Sequence, residues 1–229
     1  MLLRLALRSP RWFTLYMRLY RPRGDMYSTL LQRTLGIHSI GTNTFINYGA
    51  TIAGPTHVRI GGNVAPSDCT IFGHDGSAQV LATTYGIALD AVGKVDIKAN
   101  LFVGWRAVIV PGVTIGPNVI VGAGAGAVVT KDVLPGTVVG GGPARTSGTV
   151  DALVLKMQAR TPELPWADLI MQRGLTTLDV QFEDRLNAAR MKHFWGDPVQ
   201  TEQATQNRRM RRAIPGRAGA PIPDRRSCW

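Results

Sequence analysis

Residues 95–121 read VDIKANLFVGWRAVIVPGVTIGPNVIV, and an aliphatic side chain recurs in this stretch at every sixth position. The recurring residues are Ile97, Val103, Ile109, Ile115 and Val121. This spacing matches neither the period of an α-helix, about 3.6 residues, nor the alternation of an ordinary strand. It indicates a repeat architecture in which each hexad forms a short strand and a corner, and three hexads close one triangular coil.

An earlier stretch of the sequence has the same period. Its members are Ile40, Ile46, Ile52 and, after a slip of two residues, Ile60. Two coils are therefore expected before residue 73 and two after residue 96, with a long loop at 74–93 between them. Long excursions from a rigid scaffold are more often functional than accidental. The predicted fold class is an all-β core, a parallel β-helix of hexapeptide repeats.

The stretches on either side of the repeats have a different composition. Residues 1–35 have helical spacing interrupted by Pro10 and Pro22, and we expect short helices that either cap the first coil or lie on a membrane surface. The predicted domains are a basic helical segment at 1–35, the β-helix at 36–147, a helical extension at 148–196 and a disordered basic tail at 197–229.

The net charge of +11 is concentrated at the two ends of the chain. Residues 1–24 hold six arginines and no acid, and residues 207–229 hold seven arginines and one acid, whereas the remainder is near neutral. A basic groove across the folded body is therefore not expected, and neither is a nucleic-acid partner. Contact with a membrane surface through residues 1–24 remains compatible with this distribution.

Cysteine usage and hydropathy point to a cytoplasmic protein. Cys69 and Cys228 give no disulfide framework and no metal-ligand spacing, which fits a reducing compartment. The first residues lack the apolar stretch of a secretory signal, and no run approaches the roughly 20 apolar residues of a membrane span. We predict a cytoplasmic location, with peripheral contact at the inner membrane face.

Two segments carry a resemblance to a known family. LFVGWRAVIVPGVTIGPNVIVGAG at 101–124 and AVVTKDVLPGTVVGGGPAR at 127–145 resemble the hexapeptide-repeat acyltransferases. GHDG at 73–76 and LPWADLIMQR at 164–173 resemble the branch that O-acetylates sugars of bacterial surface polysaccharides. The resemblance implies a left-handed β-helix, a homotrimer with acetyl-CoA in the groove between neighbouring prisms, and acetyl transfer to a sugar or polysaccharide-precursor hydroxyl.

The resemblance also indicates site residues. His74 matches the catalytic histidine of the family, and acyl transfer from a thioester to a hydroxyl needs such a base. Asp75 is a candidate catalytic partner because a carboxylate beside an imidazole can fix its tautomer, but it could equally cap its own turn. Asn47 matches an asparagine that lines the acceptor pocket, although asparagine is also ordinary turn chemistry.

The remaining candidates are residues for binding the cofactor, and they match family positions along the acyl-CoA. They are Gly104, Trp105, Ala123, Gly124, Thr130, Lys131 and Arg145. Trp105 departs from the small residue usual after the glycine. A second departure is two extra residues in VIVGAGAGAVVTKD, with Ala125 and Gly126 as the inserted pair, which disturbs the six-residue phase.

Two other functions are compatible with the sequence, and a third on the same scaffold is not favoured by it. N-acetylation of an amino sugar would use the same scaffold and base. A zinc-dependent carbonic anhydrase needs three histidine ligands, but His57 and His74 are 17 residues apart and His193 lies outside the repeats, so no metal is expected. The chain could also be a non-catalytic trimeric scaffold that uses its basic N-terminal helix and RRMRR at 208–212 on a membrane or RNA.

Overall fold

A computed structural model describes residues 5, 9–20, 25–123, 126–173 and 180–196 of the chain. Contacts divide the chain into two compact units, Met1–Met157 and Gln158–Trp229. The predicted disordered tail at 197–229 and the candidate Gly124 lie outside the described residues.

The first unit is built on three parallel sheets. Face 1 contains β1 (Ser39–Ile40), β3 (Val58–Ile60), β6 (Val95–Ile97) and β9 (Thr114–Ile115). Face 2 contains β4 (Val64–Pro66), β7 (Leu101–Val103), β10 (Val119–Val121) and β12 (Thr137–Gly140), with β13 (Arg145–Thr149) antiparallel at its end. Face 3 contains β2 (Thr51–Ala53), β5 (Thr70–Phe72), β8 (Val108–Ile109) and β11 (Val128–Val129).

The chain visits the three faces in a fixed cyclic order. From β3 on face 1 it passes to β4 on face 2, β5 on face 3 and then β6, which pairs in parallel with β3. Each strand therefore lies against its counterpart one coil further on, as in Ile60↔Ile97. The arrangement is consistent with a β-helix, as the period of six predicted.

The predicted hexad positions form the core. Ile97, Val103, Ile109, Ile115 and Val121 are each at most 1% exposed. Complete burial of such a side chain stabilises the fold by about 1.5–3 kcal/mol relative to exposure. The next fully buried valine is Val129, eight residues after Val121 instead of six, so the two extra residues are absorbed between β10 and β11 and the register with β8 is regained.

Helices α1 (Pro10–Tyr20) and α2 (Asp25–Leu35) precede the first strand. Tyr27 and Leu31 of α2 belong to the same buried cluster as Ile46 of the first coil. The Ser28 hydroxyl donates a hydrogen bond of 2.6 Å to the carbonyl of Thr44. The apolar end of the first coil is therefore covered by α2.

The sequence predicted a loop at 74–93. The structure differs, because this excursion contains helix α3 (Ser77–Tyr85). Ala, Gln and Leu in this segment favour a helix. The Asp75 carboxylate accepts a hydrogen bond from the Ser77 amide, and Gly86 ends the helix in the left-handed conformation with φ 66°. The helix was missed because the sequence shows no helical apolar period there, and no residue of α3 is buried.

The remaining helices are α4 (Val150–Arg160), α5 (Ala167–Gln172) and α6 (Val180–Trp195). Within the second unit, the rings of His193 and Phe194 contact that of Trp166 at centroid distances of 5.6 and 5.3 Å. Arg173 Nε lies 2.7 Å from Glu183 Oε1. Leu186 of α6 is fully buried.

Asparagines occupy the corner that leads from face 1 to face 2 in four successive coils, and we call this corner the asparagine edge. They are Asn43, Asn63, Asn100 and Asn118, with φ angles between 53° and 61°. Their amides form a ladder in which each Nδ2 donates to the Oδ1 of the next coil at 2.9–3.0 Å. Asparagine suits this position because it tolerates the left-handed conformation that most residues avoid.

We expect replacement of Asn100 with alanine to lower the free energy of unfolding by about 2 kcal/mol. The variant loses two ladder hydrogen bonds and also pays for the left-handed backbone. Asn100→Gly should cost less, because glycine adopts that backbone freely. Urea denaturation of both variants measures the difference, and equal losses would contradict the conformational role.

Candidate active site

His74 lies at the corner that leads from face 3 to face 1, which we call the histidine edge. It follows β5 and begins the excursion, where it forms an antiparallel bridge with Val92. The Asp75 amide donates to the Ala91 carbonyl at 2.8 Å, and the Gly93 amide donates to Gly73 at 3.1 Å. These bonds fix the base of the excursion, so the exposed imidazole is held on a backbone tied at both ends.

A glycine of the preceding coil lies directly against the imidazole. Gly54 has φ 64° and ψ 50°, and a Cβ atom there would lie 2.6 Å from His74 Nδ1. Gly73 is equally constrained, since its Cβ would lie 2.4 Å from the Gly54 carbonyl oxygen. The ring therefore occupies space that any other residue at position 54 would fill. Sequence reasoning missed Gly54, although AGP between two hexads is a signal for a tight corner.

The structure shows the capping arrangement for Asp75. Its Oδ1 accepts a hydrogen bond of 2.9 Å from the Ser77 amide at the start of α3. The pKa of this carboxyl is lowered, chiefly by hydrogen bonds from the Ser77 backbone and side chain and less by the nearby His74. Asp75 therefore makes the turn contact that the sequence offered as an alternative to a catalytic role.

Asn47 lies at a different corner from His74. Its amide donates to the Pro66 carbonyl at 3.1 Å, and its carbonyl accepts from Ala50, so it turns the chain from face 2 to face 3. We call this corner the tryptophan edge, because Trp105 lies on it two coils later. One chain therefore does not bring Asn47 and His74 together.

The cofactor candidates divide between these two edges. Thr130 and Lys131 follow β11 and lie on the histidine edge two coils beyond His74, which is about 10 Å at the usual spacing of parallel strands. Gly104, Trp105 and Ala123 lie on the tryptophan edge. Arg145 is the exposed first residue of β13, opposite Gly140.

Gly104 and Trp105 each contact a nearby residue of the same chain. A Cβ at Gly104 would lie 2.3 Å from the Ala123 amide nitrogen, so the glycine is required for the approach of two coils. Trp105 is 47% exposed, and the Arg106 guanidinium lies 4.2 Å from its ring centroid. This cation–π pair presents a flat, cationic surface.

The chain is similar to several known proteins. No protein-family model matches the chain. The galactoside O-acetyltransferase of Escherichia coli K12 is 36% identical over 109 residues, which cover 46% of this chain and 51% of that enzyme. A maltose O-acetyltransferase structure from Clostridium difficile 630 has a TM-score of 0.44 and 24% identity, covering 63% of this chain and 88% of that one. A hexapeptide-repeat-containing acetyltransferase from Vibrio cholerae, complexed with acetyl coenzyme A, has a TM-score of 0.44 and 22% identity, covering 64% and 86% respectively.

The chain is similar to curated proteins that are named acetyltransferases. It spans about half the length of the curated relatives it matches.

Face 1 carries a charged cluster that the sequence did not predict. Asp96 points outward from β6, yet its side chain is only 3% exposed because three cations cover it. Arg59 binds both carboxylate oxygens, with Nε 2.7 Å from Oδ1, and Lys98 Nζ lies 2.9 Å from Oδ2. Lys94 is further away, at 3.8 Å. The hydrogen bond from Arg59 is the main cause that lowers the pKa of Asp96 to about 2.

This pKa predicts how stability changes with pH. The folded-state pKa of about 2 lies below the ordinary value of 3.8, so the cluster stabilises the protein above about pH 4 and loses that contribution as pH falls towards 2. The contribution is about 2 kcal/mol. We expect Asp96→Asn to remove this part of the pH dependence, whereas the control Glu163→Gln should retain it. The measurement is the free energy of unfolding of both variants at pH 5 and at lower pH.

The other histidines make local contacts of their own. His38 Nδ1 is 3.3 Å from Ser39 Oγ, His57 Nδ1 is 3.5 Å from Thr56 Oγ1, and His193 packs between aromatic rings. Within the described ranges, no group of three His, Cys, Asp or Glu side chains is placed to hold a metal ion. Among those same residues, no helix is long and apolar enough to cross a membrane.

Proposed function

We propose that this chain is an O-acetyltransferase that transfers an acetyl group from acetyl-CoA to the hydroxyl of a sugar or a polysaccharide precursor. The observation that carries the proposal is the exposed His74 imidazole seated on Gly54, with Thr130 and Lys131 further along the same edge. An edge of this kind provides a base at one end and a cation towards the other. The likeness to acetyltransferases supports this chemistry.

In the proposed reaction, His74 takes the proton of the acceptor hydroxyl while the oxygen attacks the thioester carbonyl. The carbon–sulfur bond then breaks, and the CoA thiolate receives the proton from the imidazolium. The products are the acetyl ester and free CoA, and no covalent enzyme intermediate is formed. An exposed, backbone-anchored imidazole suits this role because it must reach an acceptor that comes from solution.

The proposal extends to the assembly. A left-handed β-helix that forms a homotrimer would bring the histidine edge of one copy beside the tryptophan edge of its neighbour. This would supply Asn47 to the acceptor and Gly104, Trp105, Ala123 and Gly124 to the pantetheine arm. Thr130 and Lys131 would then contact the nucleotide end of CoA, and Arg145 would bind a phosphate, for which its guanidinium group is suited. The need to join two edges that lie apart in one chain supports this arrangement.

The domains proposed for this function are those predicted from the sequence, with the β-helix at 36–147 as the catalytic domain. The helical extension at 148–196 and the termini would flank it. We also propose that the enzyme works in the cytoplasm at the inner membrane face, where precursors of surface polysaccharides are assembled. The arginine-rich segment 1–24 supports that location.

The test is release of free CoA from acetyl-CoA by the purified full chain with a panel of sugars, including amino sugars. We expect thiol release that depends on the acceptor, and a product whose mass increases by one acetyl group. Mild alkaline hydrolysis separates an ester from an amide product, so acetylation of an amine would be recognised. Binding of acetyl-CoA without transfer to any member of the panel would count against a sugar acceptor, and absence of binding would favour a scaffold.

A further inference from the structure

Helix α1 uses one side to pack on the protein. Tyr16 is 7% exposed, and Phe13 and Met17 pack against the buried residues of the core. The Tyr16 and Tyr20 rings stack at a centroid distance of 4.8 Å. These contacts hold the helix against the fold and leave its other side facing outward.

The outward side of α1 carries a stripe of exposed apolar residues. Trp12, Leu15 and Leu19 are 42%, 39% and 61% exposed. Their spacing of three and four residues places them within an arc of about 60° around the helix. Tyr20, which is 58% exposed, borders them. We call Trp12, Leu15 and Leu19 the outer stripe, and a contiguous apolar surface of this kind marks a contact site.

The charge around the outer stripe identifies its partner. Residues 1–24 contain six arginines and no acidic residue, and Arg11, next to Trp12, is exposed. An apolar helix face with tryptophan, leucine and flanking arginines has the composition of helices that lie in the interface of an anionic bilayer. Tryptophan and tyrosine are also enriched at the headgroup level, where one end of the ring is apolar and the other polar.

Other occupants fit the outer stripe less well. Packing this segment of one copy on that of a second copy would bring twelve arginines together without a compensating acid, and like charges repel. A nucleic acid would match the charge but offers no apolar surface for two exposed leucines. A lipid surface satisfies the charge and the apolar stripe together.

We propose that the outer stripe of α1 inserts into the headgroup region of an anionic bilayer, with the exposed Arg11 beside it contacting lipid phosphates. This inference rests on the proposed location at a membrane face and is independent of the acetyl transfer. It names the residues and the class of lipid that hold the enzyme there.

The test is co-sedimentation of the full chain with vesicles of phosphatidylcholine alone and of phosphatidylcholine mixed with phosphatidylglycerol. The wild type should bind the anionic vesicles preferentially, and binding should weaken as salt is raised. Leu15→Glu with Leu19→Glu should lower the partition coefficient by ~10-fold or more. The matched control is Val154→Glu with Leu155→Glu, which makes the same charge change at residues of α4 that are 44% and 66% exposed.

Three outcomes would overturn the inference. Equal binding of the stripe variant and the control would assign adsorption to another basic segment, such as 207–229. Equal binding to both kinds of vesicle would show that arginine does not attract the chain to anionic lipid, as the proposal requires. A change in oligomeric size in the stripe variant, with no vesicle binding by the wild type, would make the stripe a contact between copies. Release of CoA with a soluble acceptor is measured on the same variants, so a failure of the proposed enzyme activity is seen separately.

Discussion

Replacing His74 with glutamine is expected to lower kcat for acceptor-dependent release of CoA by ~10²-fold or more. Glutamine keeps a polar side chain of similar reach, but its amide cannot take the proton of a hydroxyl. Because the His74 side chain is exposed, the substitution should leave the free energy of unfolding within about 0.5 kcal/mol of the wild type. The loss should therefore lie in the chemical step and not in folding.

Steady-state kinetics and CoA binding by calorimetry separate these effects. We expect the Kd for CoA to be nearly unchanged in the variant, since a general base acts in the transition state and not in ground-state binding. His38→Gln is the control, because this exposed histidine lies next to β1, where its Nδ1 contacts Ser39 Oγ. If His74→Gln retains the wild-type kcat, the assignment of the base is wrong.

The coil architecture could be predicted because it depends on one residue type per hexad. Each inward position needs an aliphatic side chain whatever its neighbours are, so the six-residue period from Ile97 to Val121 can be recognised from the sequence alone. The extra pair near Gly126 was also visible as a loss of phase. Helix α3 could not be predicted in the same way, because its apolar residues are exposed and have no core to impose a period on them.

The site was only partly accessible from the sequence. His74 was located by its resemblance to a family motif. The backbone hydrogen bonds that join Asp75 to Ala91 and Gly73 to Gly93 became visible only in the structure. The roles of Gly54 and Asp96 depend on contacts between coils, which join residues 20 and 37 positions apart. A sequence shows each partner of such a contact but not that the coil register places them together.

Gly54→Ala is expected to reduce kcat/KM by about 10–100-fold while the protein remains folded, because small displacements of a catalytic group have effects of this size. The new Cβ would lie 2.6 Å from His74 Nδ1, so the imidazole must turn away from the edge. The backbone at φ 64° adds a cost of roughly 1–2 kcal/mol to stability for any residue with a Cβ. Activity and unfolding are therefore measured together.

Gly112→Ala separates these two consequences. Gly112 lies at the same edge in a later coil and has φ 84°, but a Cβ there would meet nothing within 4 Å. The control thus pays the backbone cost without displacing the imidazole, and it should lose a similar amount of stability while retaining most of its activity. Equal losses of kcat/KM in the two variants would mean that Gly54 acts through general stability. A loss of kcat/KM in Gly54→Ala alone would mean that the absence of a side chain at position 54 lets His74, on the next coil, keep its catalytic position.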